Sequence, residues 1–236
     1  MQPTAPLRER HLRAVLDLIP AAVASTLREL GPRAVLAGGM IRSVVSGAPI
    51  RDIDVFVQAT AAEARRIAAA LADGAPVTET SIALTVELPT PVQIIFGRPF
   101  HDVADLLDGF DFTVCKAAVW WTPTRSWRSA AHEDFYDDLT ALRLSYSGPP
   151  RDGIPWFNTL ERVVKLAQRG YTIDLETLMR IARDLVHMED EVRAGRGTLY
   201  GGNHYGDEWG PDEDRACDEF DASHHPYRDG DARWAA

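Results

Sequence analysis

Apolar positions at helical spacing open the chain: Leu12, Val15, Leu16, Ile19, Val23, Leu27 and Leu30 predict helix over 7–30, ended by Gly31-Pro32. Pro20 lacks the donor that an interior helical turn needs, so two segments are expected. The period then shortens. "RAVLA" (33–37) reads as a buried strand, Gly38-Gly39 as a turn into a short helix closed by Gly47, and "DIDVFV" (52–57) as the next strand. Thr60 and Glu63 stand in capping-box spacing before an alanine-rich helix. "TSIALTVELPTPVQIIFG" (80–97) predicts a hairpin around Pro89 to Pro91. A short helix is expected at "DVADLLDGF", a central strand at "FDFTVCKAAVWW" (110–121), a loop after it, and another strand at "LRLSY" (142–146).

The pattern changes near 150. "WFNTLERVVKLAQRGY" and "LETLMRIARDLVHMEDEVRAG" both carry helical periodicity, with Asp174 placed to cap the second. From Gly195 onward no period survives, and glycines and acids dominate. The expected organisation is an α+β head over 1–150, a helical extension over 151–194, and a flexible acidic tail over 195–236.

Charge sharpens this division. The 236 residues carry a net charge of −10, but residues 207–236 alone hold ten acids against three arginines. The remainder is near neutral, which gives no electrostatic argument for broad nucleic-acid binding and none against a small anionic ligand. The tail suits a basic protein partner. No apolar run approaches the roughly 20 residues that span a bilayer, the N-terminal stretch lacks the form of a secretory signal, and the two cysteines are far apart. A reducing, cytoplasmic setting without membrane attachment is expected.

Chemistry concentrates in "LAGGMIRSVVSGAPIRDIDVFV" (36–57). Side chains alternate along a strand, so Asp52 and Asp54 share one face while Ile53, Val55 and Val57 point into a core. Two carboxylates one strand-step apart repel unless a cation lies between them. Mg²⁺ suits such a pair, with waters and substrate phosphates completing its shell. Gly38 and Gly39 let backbone approach a phosphate closely, at the N-terminus of the following helix.

This stretch resembles the signature of the nucleotidyltransferase superfamily, and especially the head domain of class II CCA-adding tRNA nucleotidyltransferases and bacterial poly(A) polymerases. Gly38, Gly39, Arg42, Asp52 and Asp54 match its pattern, with Ser43 where the family usually has Asp. "FDFTVCKAAV" is similar to the family's Arg-Arg-Asp-Phe-Thr block: Asp111, Phe112 and Thr113 are kept, and Gly109 and Phe110 replace the arginines. "HEDFYDDLTALRLSY", with Asp138-Leu139 and Arg143, and "LERVVKLAQRGYTID", with Arg162, Lys165 and Arg169, extend the likeness over roughly 18–175.

The resemblance implies a mixed β-sheet flanked by helices and transfer of a nucleotide from an NTP, with Asp52 and Asp54 binding Mg²⁺ (or Mn²⁺). It implies nucleotide contacts from Gly38, Gly39, Arg42 and Ser43, and from Asp111, Arg143, Arg162 and Lys165. The superfamily's third carboxylate falls at the neutral Gln93, with Glu87 the nearest rival. The acceptor stays open between an RNA end, a small molecule and a protein. A nucleotide- or RNA-binding relative acting as a regulatory module is the alternative.

Overall fold

The computed structural model describes residues 4–149 and 157–193. The junction at 150–156 and the expected tail over 195–236 lie outside the described residues.

Strand β1 (Thr4–Ala5) precedes helices α1 (Glu9–Leu18) and α2 (Ala21–Leu30). Pro20 divides the two helices as expected, standing before α2 where its missing N–H costs nothing. Then follow β2 (Ala34–Ala37), α3 (Gly39–Ser46), β3 (Ile53–Val57) and α4 (Ala61–Ala72). The Thr60–Glu63 capping box forms: Thr60 N–H donates to the Glu63 carboxylate at 2.8 Å, and Glu63 N–H donates to Thr60 Oγ1 at 3.3 Å. Three strands succeed it, β4 (Val77–Glu79), β5 (Ala83–Val86) and β6 (Val92–Ile95), and then α5 (Val103–Asp108). Next come β7 (Ala117–Trp121), β8 (Trp127–His132) and α6 (Phe135–Thr140). Helices α7 (Phe157–Ala167) and α8 (Leu175–Arg193) follow, the latter capped by Asp174, whose Oδ1 accepts from Thr177 N–H at 2.6 Å.

The fold is α+β: one mixed, mostly antiparallel sheet of eight strands, in the order β1-β8-β7-β2-β3-β6-β5-β4, flanked by helices. Among the described strands only β3 and β6 pair in parallel. Strand alternation supplies two cores. Leu36, Ile53, Val55 and Ile94 face one way, in the cluster with Val23 and Leu27 of α2, Met40 and Ile41 of α3, and Ala64 and Ala68 of α4. Val35, Ala37, Phe56 and Ala118 face the other, with Leu106 and Leu107 of α5. Burial of both faces places β2 and β3 at the centre, and the functional residues stand at their ends.

Three expectations are corrected. Residues 110–121 do not form one strand: a single 3-10 turn spans Thr113–Cys115 and the strand begins at Ala117. The run is apolar because the turn itself is buried, and hydrophobicity does not distinguish a buried turn from a buried strand. Residues 142–146 make only isolated bridges, Arg143 with Thr172 and Tyr146 with Phe112. Residues 127–132, expected as loop, form β8, and α6 and β4 were likewise not foreseen. Among the described residues no helix is long and apolar enough to cross a membrane.

Candidate active site

The site begins where β2 ends. Gly38 N–H donates to the Ala117 carbonyl at 3.0 Å, tying the turn to β7. Its φ of +87 lies in the region that L side chains rarely adopt. A Cβ there would stand 3.4 Å from the Phe110 ring and 3.7 Å from Asp54 Oδ2. One at Gly39 would stand 3.8 Å from Asp52 Oδ1 and 3.5 Å from the Arg42 guanidinium. The two glycines thus bring bare backbone up to both carboxylates. The first amides of α3, lacking partners within the helix, open beside them. Gly47, at φ 70 and ψ 17, ends α3 in the left-handed conformation and turns the chain back toward β3.

Asp52 immediately precedes β3 and Asp54 lies within it, while Ile53 and Val55 between and beyond them are buried in the core. Burial, then the charge of Asp52, raises the Asp54 carboxyl from 3.8 to about 7, against the opposing pull of Arg162 and Arg42. This is the electrostatic condition expected of paired carboxylates with no cation between them. In the parallel ladder Asp54 stands opposite Gln93, which in turn stands opposite Thr85 of β5. A neutral amide therefore occupies the strand position beside the carboxylate. Glu87 lies exposed beyond the end of β5. Among the described residues no three His, Cys, Asp or Glu side chains gather as a metal-binding group. Asp52 and Asp54 suit a hard divalent ion that takes its remaining ligands from water and phosphate.

Cationic side chains wall the cleft, a cavity of about 200 Å³. Arg42 is 8% exposed and donates to Cys115 Sγ at 3.1 Å, which fixes its guanidinium beside the glycines. Ser43 lines the same wall, and α7 contributes Arg162 and Lys165. Arg162 is held from behind: its guanidinium pairs with Asp111 Oδ2 at 2.5 Å, an oxygen that also accepts from Thr159 Oγ1 at 3.0 Å. Asp111 is fully buried, so its place is behind Arg162 rather than in the cleft. Lys165 pairs with Glu161 one turn earlier on α7, at 2.9 Å.

The structure therefore brings together Gly38, Gly39, Arg42, Ser43, Asp52, Asp54, Arg162 and Lys165. It leaves Arg143 outside this cavity, where its Nε donates to buried Asp138 at 2.7 Å. Arg51 and Arg169 also line the cleft. The position of Arg51 directly before the Asp-x-Asp pattern was the available signal, whereas Arg169, just past the end of α7, already stood among the basic residues of the resemblance. The Gly109–Phe110 replacement has a structural counterpart. Arg98, 8% exposed, lies with its guanidinium 4.6 Å from the centre of the Phe110 ring, and any Cβ at Gly109 would collide with it.

Comparison with solved structures gives the same architecture. The Thermotoga maritima CCA-adding enzyme complexed with tRNA matches with a TM-score of 0.53 at 18% identity, covering 84% of this chain and 48% of that one. A CCA-adding enzyme complexed with CTP matches with a TM-score of 0.52 at 17% identity, covering 82% and 47%. The fold is accordingly the one seen in these CCA-adding enzymes. Among curated proteins, "Gabija anti-defense 2" of Bacillus phage SPbetaL7 is 26% identical over 177 residues, which are 72% of this chain and 43% of that protein. The chain thus spans under half the length of the relatives it matches. The profile of the Gabija anti-defense 2 (Gad2) family matches residues 9–142, more than half of the sequence, and this chain belongs to that family.

Proposed function

We propose that this chain is a metal-dependent nucleotidyltransferase that moves a nucleoside monophosphate from an NTP to an acceptor hydroxyl. The observation that carries the reading is the Asp52–Asp54 pair set against bare glycine backbone in a cleft walled by Arg42, Arg162 and Lys165. Asp52 and Asp54 would hold Mg²⁺ or Mn²⁺, which supplies charge neutralisation and activation of an oxygen nucleophile when bound. Gly38 and Gly39 admit the phosphates close to the backbone, and Ser43 lies at the same wall. In the transfer the acceptor hydroxyl releases its proton to solvent and its oxygen bonds to the α-phosphorus, the bond from that phosphorus to the bridging oxygen breaks, and pyrophosphate leaves. Arg42, Arg162 and Lys165 offset the charge that accumulates on it. Asp111 acts through Arg162 by fixing its orientation. We place this chemistry in the cytoplasm, where NTPs are available, and take it as the means by which the chain serves the anti-defense role named for its family.

Gln93 beside Asp54 supports a second reading, a nucleotide-binding module with weakened or no turnover. One assay separates the two. Each labelled NTP is incubated with Mg²⁺ or Mn²⁺, pooled small RNAs and the protein, beside an Asp52→Ala/Asp54→Ala double variant. Label transfer or pyrophosphate release that disappears in the variant supports the transferase. Metal-dependent NTP binding without turnover supports the module, and absence of both in a folded protein sinks the nucleotide reading.

A further inference from the structure

The cleft does not end at Arg42. It continues into a second cavity of about 380 Å³, which shares Arg42, Ser43, Arg51 and Arg169 with it. Past Ser46 and Leu142 that cavity adjoins a third, of about 420 Å³, reached by Arg8, Arg10 and His11 at the start of α1. No acidic residue lines either the second or the third. Five arginines do, in a chain with 35 acidic and 25 basic residues.

A group at each end of this track feels the cations around it. Partial desolvation, then the charges of Arg42 and Arg51, push the Arg169 guanidinium below its ordinary value. Burial, then Arg10 and Arg8, likewise hold His11 low. Among the described residues none of Arg8, Arg10, Arg42, Arg51 and Arg169 forms an ion pair. An anion with several negative groups in a row relieves this strain. The far end adds a flat element: the Arg8 guanidinium lies 4.3 Å over the Tyr136 ring, and Arg8 N–H donates to Tyr136 Oη at 2.9 Å. Repeated cations beside a planar stack match the backbone charges and the unpaired bases of a single strand.

We propose that this track binds single-stranded nucleic acid, with backbone phosphates along the arginines and a base on the Arg8–Tyr136 stack. The strand's terminal hydroxyl would then enter the Asp52–Asp54 cleft, a step that rests on the transferase reading, whereas the binding itself does not. RNA and DNA share the backbone chemistry. A duplex has no unpaired base to offer the stack, and an acidic peptide has no planar group of that kind.

The test is fluorescence anisotropy with the full chain in EDTA and without NTP. The probes are labelled single strands of about 12 nucleotides, as RNA and as DNA, with the corresponding duplex and a poly-glutamate peptide. Single strands are expected to bind well above duplex and peptide, and a preference for RNA over DNA would report use of the 2′-hydroxyl. An Arg8→Gln/Arg10→Gln variant should bind on the order of tenfold more weakly, with a salt slope lower by about 0.7 for each phosphate no longer neutralised. An Arg8→Lys/Arg10→Lys variant should recover the slope. An Arg66→Gln/Arg128→Gln variant, matched in charge and placed elsewhere on the surface, should bind as the parent does. The assay contains neither metal nor NTP, so failure of the transferase reading leaves this result standing. Absent binding, equal binding of duplex or peptide, or an equal loss in the Arg66/Arg128 variant overturns the proposal.

Discussion

Replacing Asp54 with Asn should make the protein more stable while removing the activity proposed for it. In the folded chain the Asp54 carboxyl is raised from 3.8 to about 7, first by burial and then by Asp52. Its contribution to stability is therefore fully present below about pH 4 and is lost as the pH rises through about 7. At about 1.36 kcal/mol for each tenfold step, that difference sets a ceiling of about 4 kcal/mol on the strain of the ionised group. Asp54 is only half-buried, and partial solvation reduces the expected gain to about 1–3 kcal/mol. Urea unfolding in EDTA between pH 5 and about pH 9 tests this. Wild-type stability should fall across the window, and Asp54→Asn should flatten the slope and be the more stable protein at about pH 8. Mg²⁺ should then stabilise the wild type and not the variant, because an ion that binds the folded state shifts the equilibrium only where it has ligands. An Asp54→Asn protein less stable than wild type at high pH, or one with an unchanged pH slope, would refute the argument that this carboxylate is held against its own repulsion.

Other changes probe the surroundings of the pair. Gln93→Glu places a carboxylate opposite Asp54 in the ladder; it should tighten Mg²⁺ binding, measured by calorimetry, and lower the metal-free melting temperature through added repulsion. Gly38→Ala forces a side chain into φ +87 against Phe110 and Asp54; a loss of about 1–3 kcal/mol and weakened NTP binding are expected, and a variant with unimpaired NTP affinity would contradict the close approach of backbone to phosphate. Arg143→Ala removes the cation from Asp138, which is fully buried and also accepts from Thr113 Oγ1; it should lower the midpoint in denaturant melts while leaving NTP affinity unchanged.

What could be read before folding was what neighbours in sequence decide. Pro20, the Thr60–Glu63 box, Gly47 and Asp174 act within one or two turns of chain, so their effects were legible residue by residue. The spacing of Asp52 and Asp54 was legible for the same reason, since strand alternation alone sends both to one side and Ile53 and Val55 to the other. The Gly-Gly turn stands only one short helix before them.

Contacts between distant segments were not legible. Asp111 looked like a nucleotide contact in a strand, but α7 brings Arg162 and Thr159 onto it and makes it a buried support. Arg143 looked like a phosphate ligand, and buried Asp138 takes it instead. The run 110–121 is mostly apolar, yet whether it bends or extends depends on side-chain partners that sequence separation hides. Strand β8 lacks a strong strand pattern and exists because it pairs with β7 and β1. The sequence by itself determined the local turns, the caps and the carboxylate pair, because those follow from backbone geometry over a few residues. Only the tertiary structure decided which cations face that pair and that the cleft runs on past Arg51 and Arg169 to Arg8, because charges meet across space according to how helices pack, not by their order along the chain.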